Sequence, residues 1–147
     1  MDSEIREGPA PLASGLGALL QRAGVLKTSI IHVAGDGGLQ ALLWLCRHGY
    51  EQVGLLHGVG PAEPADVVLA PCASDAAALD DALAQASHLP DGGLIVVRAR
   101  PSMGGEATDE RLRRSGFHLE GRLPGRHRDL YLARRCGHRA APAAAAA

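Results

Sequence analysis

Apolar and polar positions come in blocks along this chain, and the period of each block predicts its element. Leu12, Leu16, Leu19, Leu20 and Ala23 recur at helical spacing, and Gly24 stops that helix. Ile30–Ala34 is a short apolar run in which Ile30, Ile31 and Val33 are β-branched, as suits a buried strand; His32 within it marks a partly polar face. The run ends in a glycine loop, Gly35-Asp36-Gly37-Gly38. A helical pattern follows from Leu39 to His48. Leu39, Leu42, Leu43 and Cys46 fall on one face, which is the expected inward face. Trp44 and Leu45 add apolar surface on other sides, so this helix is expected to be covered on more than one side. Gly49 closes it, and Val53–Leu56 is the next strand.

The second half continues the alternation. Gly58–Pro64 reads as a loop and Asp66–Ala70 as a third strand. Ser74 or Asp75 can cap a helix running to His88, with Leu79, Leu83 and Ala86 inward and Asp80 and Asp81 outward. Leu89–Gly93 is a turn, Leu94–Arg98 a fourth strand and Pro101–Gly105 a loop. Thr108 is the expected cap of a short helix that Gly116 ends. Phe117–Leu123 and Asp129–Arg134 read as antiparallel strands joined through Pro124–Arg128.

Strand, tight loop, helix, strand is the opening unit of a doubly wound α/β fold. The chain divides accordingly. Residues 1–28 are a lead-in and an amphipathic helix, 29–135 an α/β domain, and 136–147 a low-complexity tail expected to be disordered.

Composition narrows the function classes. Trp44, Tyr50, Phe117 and Tyr131 are the only aromatic residues, so binding of single-stranded nucleic acid by base stacking is disfavoured. Three cysteines make no disulfide framework. Asp2, Glu4 and Glu7 replace the basic start of a signal peptide, and no apolar run reaches membrane-spanning length, so the expectation is a cytoplasmic protein with no membrane partner. Charge is uneven: Met1–Val97 holds four basic and eleven acidic residues, and Arg98 onward holds eleven arginines and five acidic residues. That asymmetry fits a solvated arginine surface, pairing between the halves within one fold or across a dimer, or an anion-binding surface.

Four segments carry a family resemblance: VAGDGG after the first strand, DVVLAP in the middle, LPDGGLIVVRAR, and GFHLEGRLPGRHRDLYLARR at the closing hairpin. Their order and spacing, across Ser29–Arg135, resemble the class I S-adenosylmethionine-dependent methyltransferases. The resemblance implies a Rossmann-like, mostly parallel sheet with an antiparallel C-terminal strand, here Asp129–Arg134. Two departures stand out. His57-Gly58 occupies the end of the second strand, where the family places an acidic residue that holds the ribose. Only Gly58–Ala65 separates the second and third strands, too short for the family's helix, strand and helix that wall the adenine pocket. The sheet is therefore expected to be shortened to about six strands instead of seven.

By that resemblance Gly35, Asp36, Gly37 and Gly38 would meet the amino-acid end of S-adenosylmethionine, His57 could donate to its ribose, and Pro71 and Cys72 would face the substrate. Each has a simpler reading as a turn, a strand end or a packed side chain. A dinucleotide fits worse, because Gln40 stands at the third glycine of GxGxxG and Asp36 would repel a pyrophosphate. No spacing singles out a catalytic set or a metal site; Cys136 and His138 lie too close together for a finger-type zinc site. The expected function is a degenerate, non-catalytic methyltransferase-like protein, a regulatory or protein-interaction module that self-associates or binds a protein partner and needs no cofactor. An active methyltransferase using S-adenosylmethionine is the alternative, and an arginine-rich anion or nucleic-acid binder a weaker one.

Overall fold

The computed structural model describes residues 15–56, 64–100, 104–125 and 128–136. The expectations for the lead-in, Leu12, His57, Gly58 and the tail lie outside the described residues. The elements are α1 (Leu16–Arg22), β1 (Ile30–Val33), α2 (Gly38–Arg47), β2 (Gln52–Leu55), β3 (Val67–Ala73), α3 (Ala76–Gln85, continued by a 3₁₀ turn, Ala86–His88), β4 (Leu94–Ala99), α4 (Gly105–Arg114), β5 (Phe117–Leu123) and β6 (Asp129–Arg135).

The strands form one six-stranded sheet in the order β2-β1-β3-β4-β6-β5. The β2, β1, β3 and β4 pairings are parallel. β6 runs antiparallel to both its neighbours and inserts between β4 and β5. Alternation along each strand divides the core. Val67 and Leu69 face α1 and α2 with Val96 and Leu132, whereas Val68 and Ala70 face α3 and α4 with Ile95 and Tyr131. Leu16, Leu19 and Leu20 dock α1 as their spacing predicts, and Leu79, Leu83 and Ala86 dock the α3 segment. The Asp75 cap forms: its Oδ1 accepts from the Ala78 N–H at 2.8 Å.

Four local expectations are corrected. The inward face of α2 is Gly38, Ala41 and Leu45, while Leu39 and Leu43 are 60% and 45% exposed and Cys46 is exposed. Small residues win the inward side because α2 lies close to the sheet: a Cβ on Gly38 would stand 3.1 Å from Leu55 Cδ2 and 3.5 Å from Val33 Cγ1. His32 does not mark a solvent-facing side; it is buried, with its ring centroid 5.6 Å from that of His88. Thr108 is not a cap. The helix begins at Gly105, and Thr108 is buried inside it with its hydroxyl donating back to the Gly104 carbonyl at 2.9 Å. Finally, β3 continues through Pro71 and Cys72 to Ala73. Its register with β4 shifts between Ala70 and Ala73, and such an irregularity is where a strand tolerates proline.

Tyr50 follows α2 and is 5% exposed, with Lys27 Nζ 4.2 Å from its ring centroid. Burial raises its phenol pKa above the ordinary tyrosine value. The unfolded chain therefore releases this proton first as pH rises, so this contribution is complete below the unfolded pKa and lost through the folded one. Urea melts across the alkaline range are expected to show a fall in stability that Tyr50→Phe makes shallower.

Candidate binding site at the carboxyl ends of the central strands

Strand order reverses between β1 and β3, because β1 is followed outward by β2 on one side and β3 by β4 on the other. In open α/β sheets such a switch point opens a crevice at the carboxyl ends of the strands. The glycine loop and the Pro71-Cys72 pair meet there. Gly37 adopts φ +79° and is the N-cap of α2, and no side chain caps that helix. It lies over the end of β3: a Cβ there would stand 3.7 Å from Cys72 Cβ and 3.7 Å from Pro71 Cγ. Gly35 has φ +83° with open space beside it, and Asp36 is exposed. Cys72 is half-buried, its Sγ 3.6 Å from Ser74 Oγ. Of the residues the sequence singles out, Gly37, Pro71 and Cys72 are thus in mutual contact range, with Gly35, Asp36 and Gly38 flanking them.

Two arginines sit at the same edge: Arg128, one of the hairpin arginines weighed from the sequence as an anion-binding surface, and Arg98, which sequence reasoning passes over. Arg98 ends β4 on the face of Val96, and Arg128 lies two residues before Leu130, the β6 partner of Arg98. Alternation along β4 could have placed Arg98 on this inward face; no sequence signal brings Arg128 to it. Burial, then the charge of Arg128, holds the Arg98 guanidinium below the ordinary arginine pKa, with Cys72 acting the other way.

Five other arginines of the C-terminal half are paired with acidic residues. Arg111 reaches Asp80 of the acidic half at 2.6 Å, Arg122 reaches Asp129 at 2.8 Å and Arg134 reaches Glu120 at 2.8 Å. Arg113 bonds Asp109, and Arg114 lies 3.4 Å from Glu110. Part of the charge asymmetry is therefore spent within one chain.

A cavity of about 240 Å³ lies at the opposite, amino end of the sheet, lined in part by Ser29, Asp66, Gly92 and Arg134. Asp66 and Arg134 there are already engaged. Asp66 Oδ2 accepts from the Ile30 N–H at 2.8 Å, and Arg134 also donates to the Gly92 carbonyl at 2.9 Å. No described helix is long and apolar enough to cross a membrane.

No protein-family profile matches the sequence, and no curated protein does. Solved structures do match. The ribosomal protein L11 methylase from Lactobacillus delbrueckii subsp. bulgaricus superposes with TM-score 0.65 at 14% identity, over 83% of this chain and 78% of that one. The Burkholderia thailandensis 1,6-didemethyltoxoflavin-N1-methyltransferase, solved with S-adenosylhomocysteine, gives 0.67 at 15%, over 92% and 82%. The magnesium protoporphyrin IX methyltransferase from Synechocystis PCC 6803, also with bound S-adenosylhomocysteine, gives 0.60 at 13%, over 87% and 83%. With the central parallel strands, the inserted antiparallel β6 and the edge at β2, these likenesses establish that the chain has the class I S-adenosylmethionine-dependent methyltransferase fold, shortened to six strands.

Proposed function

We propose that this chain is a non-catalytic member of that fold and acts as a self-associating protein-interaction module. The observation that carries the reading is the β2 side of the molecule. Among the described residues the sheet stops at β2, and next to it α2 turns Leu39 and Leu43 to solvent. β2 itself, Gln52–Leu55, holds no charge and no proline, the usual guards of an open edge. The occupant we assign is a second copy. An antiparallel β2–β2 pair about a two-fold axis would satisfy both edges at once and set the two α2 faces side by side.

The residues present do not fit S-adenosylmethionine. No acidic residue occurs from Gln52 to Ala62, so the ribose anchor that the resemblance implies is missing. Each lost hydrogen bond to a charged group is worth about 1.5–3 kcal/mol. Titration calorimetry with S-adenosylmethionine and S-adenosylhomocysteine is expected to show no saturable binding in the micromolar range. Light scattering is expected to give a dimer that becomes a monomer when Leu39 and Leu43 are both serine. A wild-type monomer at all concentrations would remove the self-association.

The glycine loop's place at the switch point favours a second reading, methyl transfer from S-adenosylmethionine. Micromolar affinity for the cofactor that disappears in Gly37→Val would establish it over the first.

A further inference from the structure

We propose that Arg98 and Arg128 form a binding site for the oxyanion of a small molecule, a carboxylate or a phosphate, beside Cys72 at the carboxyl edge of the sheet. Both guanidiniums are partly withdrawn from water. Arg98 Nε and Arg128 Nη1 are each buried without a hydrogen-bond partner. A buried N–H of a charged group left unmade is costly, so its retention calls for an acceptor. The nearest strand carboxylate cannot serve. Asp129 belongs to the opposite face with Tyr131; its Oδ2 accepts from Arg122 at 2.8 Å and its Oδ1 from the Gly125 N–H at 3.1 Å. The guanidinium of Arg128 acts on Arg98 with a charge of like sign. Two cations held near one another with no described anion between them suit a ligand of opposite charge.

The surroundings agree with a small ligand. Cys72 also lies near the uncapped N-terminus of α2, where a Cβ on Gly37 would stand 3.7 Å from Cys72 Cβ. That ten-residue helix adds a favourable end for negative charge, which the exposed Asp36 carboxylate in the loop before it partly offsets. Arginine offers planar, paired donors to a carboxylate or a phosphate. The site does not depend on the β2 interface.

Cys72 gives a local readout. Alkylation of the full-length protein by iodoacetamide, followed by peptide mass mapping, reports Cys72 and the exposed Cys46 separately. At constant ionic strength in chloride, saturating inorganic phosphate or acetate is expected to slow labelling of Cys72 and leave Cys46 unchanged. The affinity read from this protection is expected to fall about tenfold or more in Arg98→Gln and in Arg128→Gln. Phosphate protecting at lower concentration than acetate assigns a phosphorylated ligand, and the reverse assigns a carboxylic acid. A thermal melt gives the second measurement. Either probe should raise the Tm of the wild type and not of the double variant. In chloride alone, Arg98→Met should melt no lower than wild type, because it removes a buried cation without a partner. Equal protection of both cysteines, equal Tm shifts in wild type and double variant, or a lower Tm for Arg98→Met would each overturn the site.

Discussion

Replacing Leu45 by alanine is expected to destabilise the fold by about 2–5 kcal/mol, and replacing both Leu39 and Leu43 by serine to change monomer stability by less than about 0.5 kcal/mol. All are leucines on α2, within six residues of one another. Leu45 has no exposure and packs among Ile31, Val33 and the leucines of α1, so truncation leaves a cavity as well as losing transfer energy. Leu39 and Leu43 point outward, and serine removes little buried area from them. Urea unfolding at low protein concentration measures both, since association would otherwise add to the apparent stability. Comparable losses for the two sets would mean that α2 is rotated from the orientation described. A near-neutral Leu45→Ala would mean the same.

The Phe117→Ala variant is expected to lose about 3–5 kcal/mol. Phe117 opens β5, an edge strand, and is 1% exposed in the layer beneath α3 and α4, with the Arg135 guanidinium 5.5 Å from its ring centroid. It is the largest apolar side chain on β5, whose pattern otherwise alternates half-buried and exposed positions. Losing it weakens the docking of β5 under α4 and, through the β5–β6 pairing, the hairpin that carries Arg128. The same thermal melt should therefore show reduced anion stabilisation alongside the lower Tm. Full stability with unchanged anion response would show that β6 alone holds the hairpin in place.

Much of the architecture was legible because its signals are local. β-branched runs between glycine turns marked β1, β3 and β4 within a few residues. Asp75 preceded a helical pattern and caps it. The short span between the second and third strands limited the sheet to six strands, since so few residues cannot form a further helix, strand and helix. The antiparallel pairing of Phe117–Leu123 with Asp129–Arg134 was readable from their own pattern, whereas nothing in it says that the second strand also pairs with β4.

The candidate site was legible in part. The glycine loop and the end of β3 follow from the strand order, and Gly37, Pro71 and Cys72 do come together. The inward face of α2 was not legible. A hydrophobicity pattern ranks leucine above glycine and alanine, whereas close helix-to-sheet packing selects the small residues Gly38 and Ala41 and rejects the large ones. Arg98 and Arg128 stand thirty positions apart and carry no shared motif. Local periodicity determined which residues form strands and helices. Only the tertiary structure, by setting the distance of α2 from the sheet and the register of β6 beside β4, decided which faces are buried and which charges are left facing one another.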